Sequence, residues 1–497
     1  MPYHAGTTAI NGLGRDAALR DPAGLEKESR PSLPLGRDRS GQVAVLVMLG
    51  AGGLGALAGD WLAGAGILLL WLAVRLLRSR EGPPVLVYAF AFQWLQVVAG
   101  VVYCGIFNRQ LRPSLQCDYR PMVLLGLVSL LVLLFGLAAG RRWAQGRRVA
   151  RERPLFAFGL GSLLLAYVAS VVAAQVVLTL GWSYARFAQA AVALSQIRYL
   201  FLYLVLRRLF VERHDAFSFV VIAVFEIAFG FTSYFAGFRE AIMLALLAAV
   251  ERFDPRRPAH WRWVAAIGIV LGACGLVWTG VKGQYRAEWK NAQFGESRLA
   301  RLSRIIDLSR QWIAGPYAEK VRTVDALVDR VWSVYYPALA LKRVPESVPH
   351  ESGALEWDAV RHVLTPRFFF PDKPAMVSDS VKVRKYSGVA VAGPDQGVSI
   401  AFGYVAESYV DFGIPGMFVP IFLWGVAMGF GYEFFLNAIL HRELAIAFVA
   451  TTFWLSLFLF ERSWVGLLGR AGMVFIILGG TTFLLDRFIL SHRTERW

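Results

Sequence analysis

Arg239, Arg462 and Arg470 each stand at or just inside the end of a strongly apolar run, where a guanidinium is costly unless it has an anion to hold. A planar guanidinium grips phosphate oxygens two at a time, and fixed cations at such a depth suit a diphosphate whose apolar tail stays in a bilayer. Arg198 and Glu226 also fall within apolar runs. Their positions put both near mid-membrane, where they can pair across neighbouring antiparallel helices or line the same cavity. Outside the runs, Thr365-Pro366-Arg367-Phe368-Phe369-Phe370-Pro371-Asp372-Lys373-Pro374 combines cations and aromatics with prolines, which fix φ and exclude regular helix. Glu407 lies between Tyr404 and Tyr409 where an apolar run resumes. A carboxylate there is desolvated and tuned towards proton abstraction, unless it serves as a helix cap or an ion-pair partner.

The elements that must position these residues are membrane spans. Of 497 residues, 56% are hydrophobic and 18% charged, with a mean hydropathy of +0.49, a balance few soluble chains of this length share. Windows of about 20 apolar residues, the length that crosses a hydrocarbon core of about 30 Å, recur roughly twelve times. They cover 42–59, 61–77, 84–106, 119–140, 155–180, 187–210, 217–236, 238–252, 261–280, 410–436, 443–461 and 464–488. The fold class expected is an all-α polytopic membrane protein.

Residues 1–40 mix charge, glycine and proline without apolar periodicity and read as a disordered cytoplasmic tail rather than a cleavable signal. Orientation follows from the connectors, because cytoplasmic loops keep an excess of Lys and Arg. Arg75, Arg78 and Arg80 follow the second span, Arg141 to Arg153 the fourth, Arg207, Arg208 and Arg213 the sixth, and Arg252 to Arg262 the eighth. Both termini are then cytoplasmic and the polar block 282–399 faces outward. The domain plan is a tail 1–40, spans 1–9 over 41–281, a periplasmic cap 282–399, spans 10–12 over 400–490, and a short tail 491–497.

The net charge of +17 is spread along the inner membrane face, so it marks topology and anionic lipid rather than nucleic acid. The cysteines form no CxxC and have no His partner at ligand spacing, and no HExxH occurs, so neither a metal nor a cofactor is expected. Cys104 and Cys117 lie near one span end and could form a disulfide, and Cys274 reads as a core residue. No phosphate-binding GxxxxGK[ST] is present, and Gly53, Gly55 and Gly59 lie inside an apolar run, where they serve helix packing.

Within the block, Leu299, Leu302, Ile306 and Ile313 recur at helical spacing beside Arg298, Arg301, Arg304 and Arg310, predicting a basic amphipathic helix lying along the outer leaflet. A second helix is predicted over about 318–336, carrying Arg330. Irregular chain with His350, Trp357 and His362 follows before the Pro-Arg-Phe strip.

Four pieces together resemble the bacterial oligosaccharide repeat-unit polymerases of the O-antigen polymerase (Wzy) type. They are Gly237-Phe238-Arg239 at an outer helix start, Asp329-Arg330 in the cap, the strip from Thr365 to Pro374, and Ala406-Glu407-Ser408-Tyr409 with Phe412-Gly413 and Gly416. They span roughly residues 230–430. This chain carries Phe238 where such enzymes often have a small residue before the arginine.

The resemblance implies a lipid-donor, GT-C-like inverting glycosyltransferase that moves a glycan from a polyprenyl diphosphate to a lipid-linked repeat unit. It implies no cofactor, and as partners the polyprenyl-diphosphate-linked oligosaccharide, membrane lipid, a repeat-unit flippase and a chain-length co-polymerase. Such chemistry requires cations where the diphosphate charge develops and a base for the acceptor hydroxyl. Arg239, Arg330 and Arg367, with Lys373, take the first role beside Arg462 and Arg470, and Glu407 takes the second. Tyr404, Phe369 and Trp357 are candidates to stack on sugars, with His362 nearby. An O-antigen ligase-type transferase would instead need an outer histidine, His350 or His362. An exporter would show repeated halves with broken helices, and the two halves here are alike only in hydropathy.

Overall fold

The computed structural model describes residues 38–79, 81–111, 118–146, 159–183, 187–213, 215–231, 238–253, 257–291, 297–366, 369–370, 372–374, 376–393 and 399–490. The chain divides into two units, 1–46 and 47–497; of the first, only the opening of one helix is described.

All regular structure among the described residues is helical. The first part supplies α1 (Asp38–Ala58), α2 (Trp61–Leu77), α3 (Val85–Phe107), α4 (Arg120–Gln145), α5 (Leu160–Ser183), α6 (Ala188–Ser195), α7 (Ile197–Arg207), α8 (Ala216–Phe231), α9 (Phe238–Glu251) and α10 (Pro258–Asn291). The polar block folds into α11 (Arg298–Ala314), α12 (Tyr317–Val331), α13 (Tyr335–Arg343), α14 (Ala354–Leu364) and α15 (Asp379–Ser387). The chain returns through α16 (Tyr404–Gly416), α17 (Phe418–Ala438), α18 (Arg442–Leu457) and α19 (Trp464–Leu484). Among the described residues, 7 helical stretches are long and apolar enough to cross a membrane, and Val45–Ala58, Trp61–Leu77 and Ala216–Gly230 are shorter apolar helices. This is the architecture of a multi-pass helical membrane protein.

Several boundaries differ from expectation for physical reasons. Helix α10 runs without interruption to Asn291, so the start of the polar block prolongs a span. The helix predicted over 318–336 stops at Val331 because Trp332 turns into the bundle. Its Nε1 donates to the Val97 carbonyl at 3.1 Å, and the Ser333 N–H donates to the Gln96 carbonyl at 2.9 Å. Gly100 makes room for that indole; a methyl group there would collide with it. The tenth span opens at Phe418 rather than at 410, because Gly413 (φ 62°) and Ile414 leave helical geometry. Helices α9 and α18 have 14 and 16 residues, fewer than the roughly 20 of a lipid-facing span. Every residue of α18 from Leu444 to Leu457 is buried, so its length answers to protein neighbours rather than to bilayer thickness.

The closest packing is between α4 and α17. Gly136 and Gly140 on one helix face Gly425 and Gly429 on the other, and a methyl group at any of them would strike the opposing backbone. Small residues four apart let the two backbones touch, as membrane helices do when apolar burial against lipid gains nothing. At the end of the bundle away from α11–α15, this pair is tied by Arg141, whose Nη2 lies 2.9 Å from Glu433 and whose Nη1 donates to the Leu77 carbonyl at 2.6 Å.

Candidate functional site

The turn from Phe458 to Ser463, between α18 and α19, is the pivot of the site. Two glutamines on α3 hold it. Gln96 donates to the Phe458 carbonyl at 2.8 Å and accepts from the Phe460 N–H at 3.1 Å, while Gln93 donates to the Leu457 carbonyl. Tyr404 donates to the Gln93 side-chain oxygen at 2.8 Å. Gln96 stands eleven residues before the end of α3 at Phe107, about 16 Å along the helix at 1.5 Å per residue, and the tip of the Phe460 ring reaches the side of α4 at Gly126. The turn is therefore sunk beneath the ends of the surrounding helices. Gly403 (φ 95°) lets α16 begin against this turn, since a Cβ there would lie 2.6 Å from the Phe460 carbonyl oxygen.

Arginines converge on this turn from separate elements. The Arg239 guanidinium, from the start of α9, sits 5.0 Å from the centre of the Phe458 ring, and Arg462 sits 5.6 Å from the same ring. The charge of Arg470, from α19, acts on Arg462, as does that of Arg239. Arg330, from α12, lies 3.9 Å from Glu461. Burial first, then the Arg470 and Arg239 charges, push the Arg462 guanidinium down to about 9, which leaves it cationic at neutral pH. Glu240 contacts Arg239 at 3.0 Å and acts on Arg462 and Arg470. Glu240 and Glu461 are thus the counter-charges of the four arginines: Glu240 contacts Arg239, Glu461 lies nearest Arg330, and both act on Arg462.

A second polar centre occupies the corner where α14, α15, α16 and the start of α19 meet. Glu407 is 1% exposed. It lies 2.8 Å from Lys382 Nζ and accepts the Trp464 N–H at 2.6 Å, so it both pairs with a lysine and caps α19. Burial raises its carboxyl above the usual range, against the pull of Lys382. The indole of Trp464 donates to Ser408 Oγ at 2.8 Å, and Ser408 donates to Glu356 at 2.6 Å. Glu356 is partly exposed; burial, with the Asp411 and Glu407 charges adding to it, pushes its carboxyl up to about 7. Asp411 caps α14 by accepting the Leu355 and Glu356 N–H groups at 3.1 and 2.7 Å. Asp379 accepts from Ser463 Oγ at 3.0 Å.

Of the residues singled out from sequence, the fold gathers Arg239, Arg330, Arg462 and Arg470 around one turn. Glu407 and Tyr404 belong to the frame beneath it. Tyr404 is 1% exposed, with Phe460 and Trp464 packed edge-on around it, which leaves no face for a sugar. Trp357, His362 and Lys373 lie apart, on α14 and the segment after it, where Lys373 Nζ bonds the His362 carbonyl. Arg367 lies outside the described residues. Cys104 carries a free thiol, and Cys117, with which it could form a disulfide, is also outside them. Glu226 is buried and takes a hydrogen bond from Tyr167; Arg198 feels its charge but bonds the Tyr199 hydroxyl at 2.7 Å. His350, the alternative histidine, has Nδ1 3.2 Å from the Val410 carbonyl. No group of three or more His, Cys, Asp or Glu side chains able to hold a metal occurs among the described residues. Sequence reasoning missed Gln93, Gln96, Phe458, Lys382 and Glu356. The glutamines alone left a trace, as two amides one turn apart inside an apolar run.

The fold and this turn define a multi-pass helical membrane protein with a sunken, arginine-rich site roofed by a helical cap. Residues 157–430 match the family described as Domain of unknown function (DUF8712); the match covers more than half of the chain, which belongs to that family. No curated protein and no solved structure matches it. The matched region includes Arg239, Arg330, Glu356, Lys382 and Glu407 and stops short of Phe458, Arg462 and Arg470.

Proposed function

We propose that the chain is a polymerase that joins polyprenyl-diphosphate-linked oligosaccharide repeat units into a surface polysaccharide or O-antigen, as an inverting glycosyltransferase. The observation that carries this reading is the charge balance at the sunken turn: Arg239, Arg330, Arg462 and Arg470 meet two carboxylates, Glu240 and Glu461. The surplus is two positive charges, and a diphosphate diester carries two negative ones. Its depth below the helix ends fits a ligand whose tail stays among lipid chains.

In this reading the acceptor hydroxyl attacks the anomeric carbon from the face opposite the diphosphate. The new C–O bond forms as the bond to the diphosphate oxygen breaks, and the leaving diphosphate takes up the electron pair beside Arg239, Arg462 and Arg470. Arg330 closes the site from the cap, and Arg367 and Lys373 remain candidate contacts by resemblance alone. We assign the hydroxyl proton to Glu356 rather than to Glu407, because Glu356 is partly exposed and its carboxyl lies near neutrality. Glu407 then holds the corner together through Lys382 and Trp464. The proposal keeps twelve crossings by counting the shorter apolar helices, and α9 and α18 as short crossings, with the longer stretches. A GT-C-like chain in the bacterial inner membrane, with both termini cytoplasmic and the cap periplasmic, completes the proposal.

The test is polymer length on gels from cells lacking the protein, complemented at matched expression with wild type, Arg239→Ala, Arg462→Ala or Glu356→Gln. The expected result is a ladder of long glycan with wild type and a single lipid-linked repeat with the variants. Should the unmutated protein change only whether the repeat reaches the far face, transport replaces polymerisation.

A further inference from the structure

We propose that α14 and the described residues between it and α15 enter the leaflet on the cap side, with Leu364, Phe369 and Phe370 among the acyl chains of bulk phospholipid. Their position follows from α19. Val363, near the end of α14, lies 3.7 and 4.0 Å from where a Cβ would stand on Gly469 and Gly472. Those glycines are five and eight residues past Trp464, about 8–12 Å along a helix long and apolar enough to cross a membrane. At the start of α19, Asp379 accepts the Ser463 hydroxyl. Lys373 bonds back to α14 at the His362 carbonyl. The end of α14 therefore lies beside a span, and by Asp379 the chain is back at the start of that span.

The outward face of this stretch suits lipid. Trp357, Arg361 and Leu364 follow one another around the exposed side of α14, an interfacial indole and a snorkelling guanidinium above an apolar end. Leu364 is 73% exposed and Phe369 71%, values that would leave large apolar groups in water if this were an ordinary soluble surface. Other apolar groups are exposed at the head of α14 and along α17. Phe412 packs against Gly353 at the head of α14 and is itself exposed, as are Ile414 and then Val419 and Leu423 on α17, another candidate span. Several described groups near the tip are bonded locally, which suits a low-dielectric setting. Thr365 Oγ1 donates to the Arg361 carbonyl at 2.9 Å, and the Phe369 and Phe370 N–H groups both donate to the Pro366 carbonyl at 3.0 Å.

The competing occupant is water in an open vestibule, and collision accessibility separates the two. On a background with Cys104, Cys117 and Cys274 replaced by Ser, nitroxides are placed at Leu364→Cys, Phe369→Cys and Phe370→Cys and the protein is reconstituted in nanodiscs of phosphatidylethanolamine and phosphatidylglycerol. Leu423→Cys supplies the lipid reference and the exposed loop position Ser347→Cys the water reference. The ratio of oxygen to water-soluble nickel-chelate collisions is expected to match Leu423→Cys, several-fold above Ser347→Cys. Ratios equal to that of Ser347→Cys at the three sites overturn the insertion. If one labelled variant fails to fold, the remaining two still decide. Polymer formation plays no part in this readout, so the result stands apart from the proposed function.

Discussion

Arg141 and Arg462 are guanidiniums in one helical bundle, and their surroundings are opposite. Arg141 is closed: Glu433 at 2.9 Å, the Leu77 carbonyl at 2.6 Å and the Tyr432 ring at 5.3 Å surround it, and Gln145 donates to the same carboxylate. Arg462 has a long contact to the Leu455 carbonyl at 3.4 Å, an aromatic ring and two further arginines, with which it shares the charges of Glu240 and Glu461. The first arrangement balances its charge and ties α2, α4 and α17 together. The second concentrates like charge in a partly buried place, which opposes folding until an anion arrives. A buried arginine is thus a structural or a functional signal according to its counter-charge, not its depth.

The largest effect should come from unbalancing the closed end. Glu433→Ala leaves Arg141 buried without its counter-ion and should cost about 3–5 kcal/mol, seen as a lowered thermal midpoint in detergent. Arg462→Ala should leave that midpoint unchanged or raise it while abolishing polymer. A comparable loss of midpoint in both variants would erase the distinction drawn between the two arginines.

The polar corner offers an intermediate effect. Glu356 is raised from 4.5 to about 7 in the folded chain, so the folded state holds its proton more tightly than the unfolded state. That contribution to stability is complete below about pH 4.5 and disappears as pH climbs through about 7. The wild-type midpoint should therefore fall between pH 5 and pH 8, and Glu356→Gln should flatten the fall. Parallel profiles for the two proteins would show that Glu356 titrates at its ordinary value.

The smallest effect belongs to Phe458→Leu, which keeps the arginines and removes the ring between them. It should weaken binding of a short-chain prenyl diphosphate by about 0.5–2 kcal/mol, the range of a cation–π contact. Arg462→Ala should remove that binding altogether, measured by titration calorimetry on protein in nanodiscs. An unchanged affinity in Phe458→Leu would mean that the ring merely fills space.

Much of the bundle was legible because a long apolar run declares its own length, as in α3, α4 and α19. The arginines were legible for the converse reason: a cation at the end of such a run stands out. What stayed hidden depends on partners far away in sequence. The pairing of Lys382 with Glu407 and the seating of Trp332 against Gly100 follow no local spacing. Glu407 drew attention for its place between tyrosines, and the fold spends that carboxylate on a lysine and a helix start. Helix α18 looked like a span because its composition is apolar, whereas its length answers to the helices around it.

That enclosure bears on how the chain is made. A helix of 16 residues carrying Thr451, Thr452 and Ser456, all buried, gains little from lipid on leaving the ribosome. It becomes stable where α3, α7 and α9 already stand, since those helices line it. Membrane integration of α18 is therefore post-dated to assembly of the earlier helices, and a nascent chain halted before residue 442 would keep the amides of Gln93 and Gln96 waiting for carbonyls not yet synthesised.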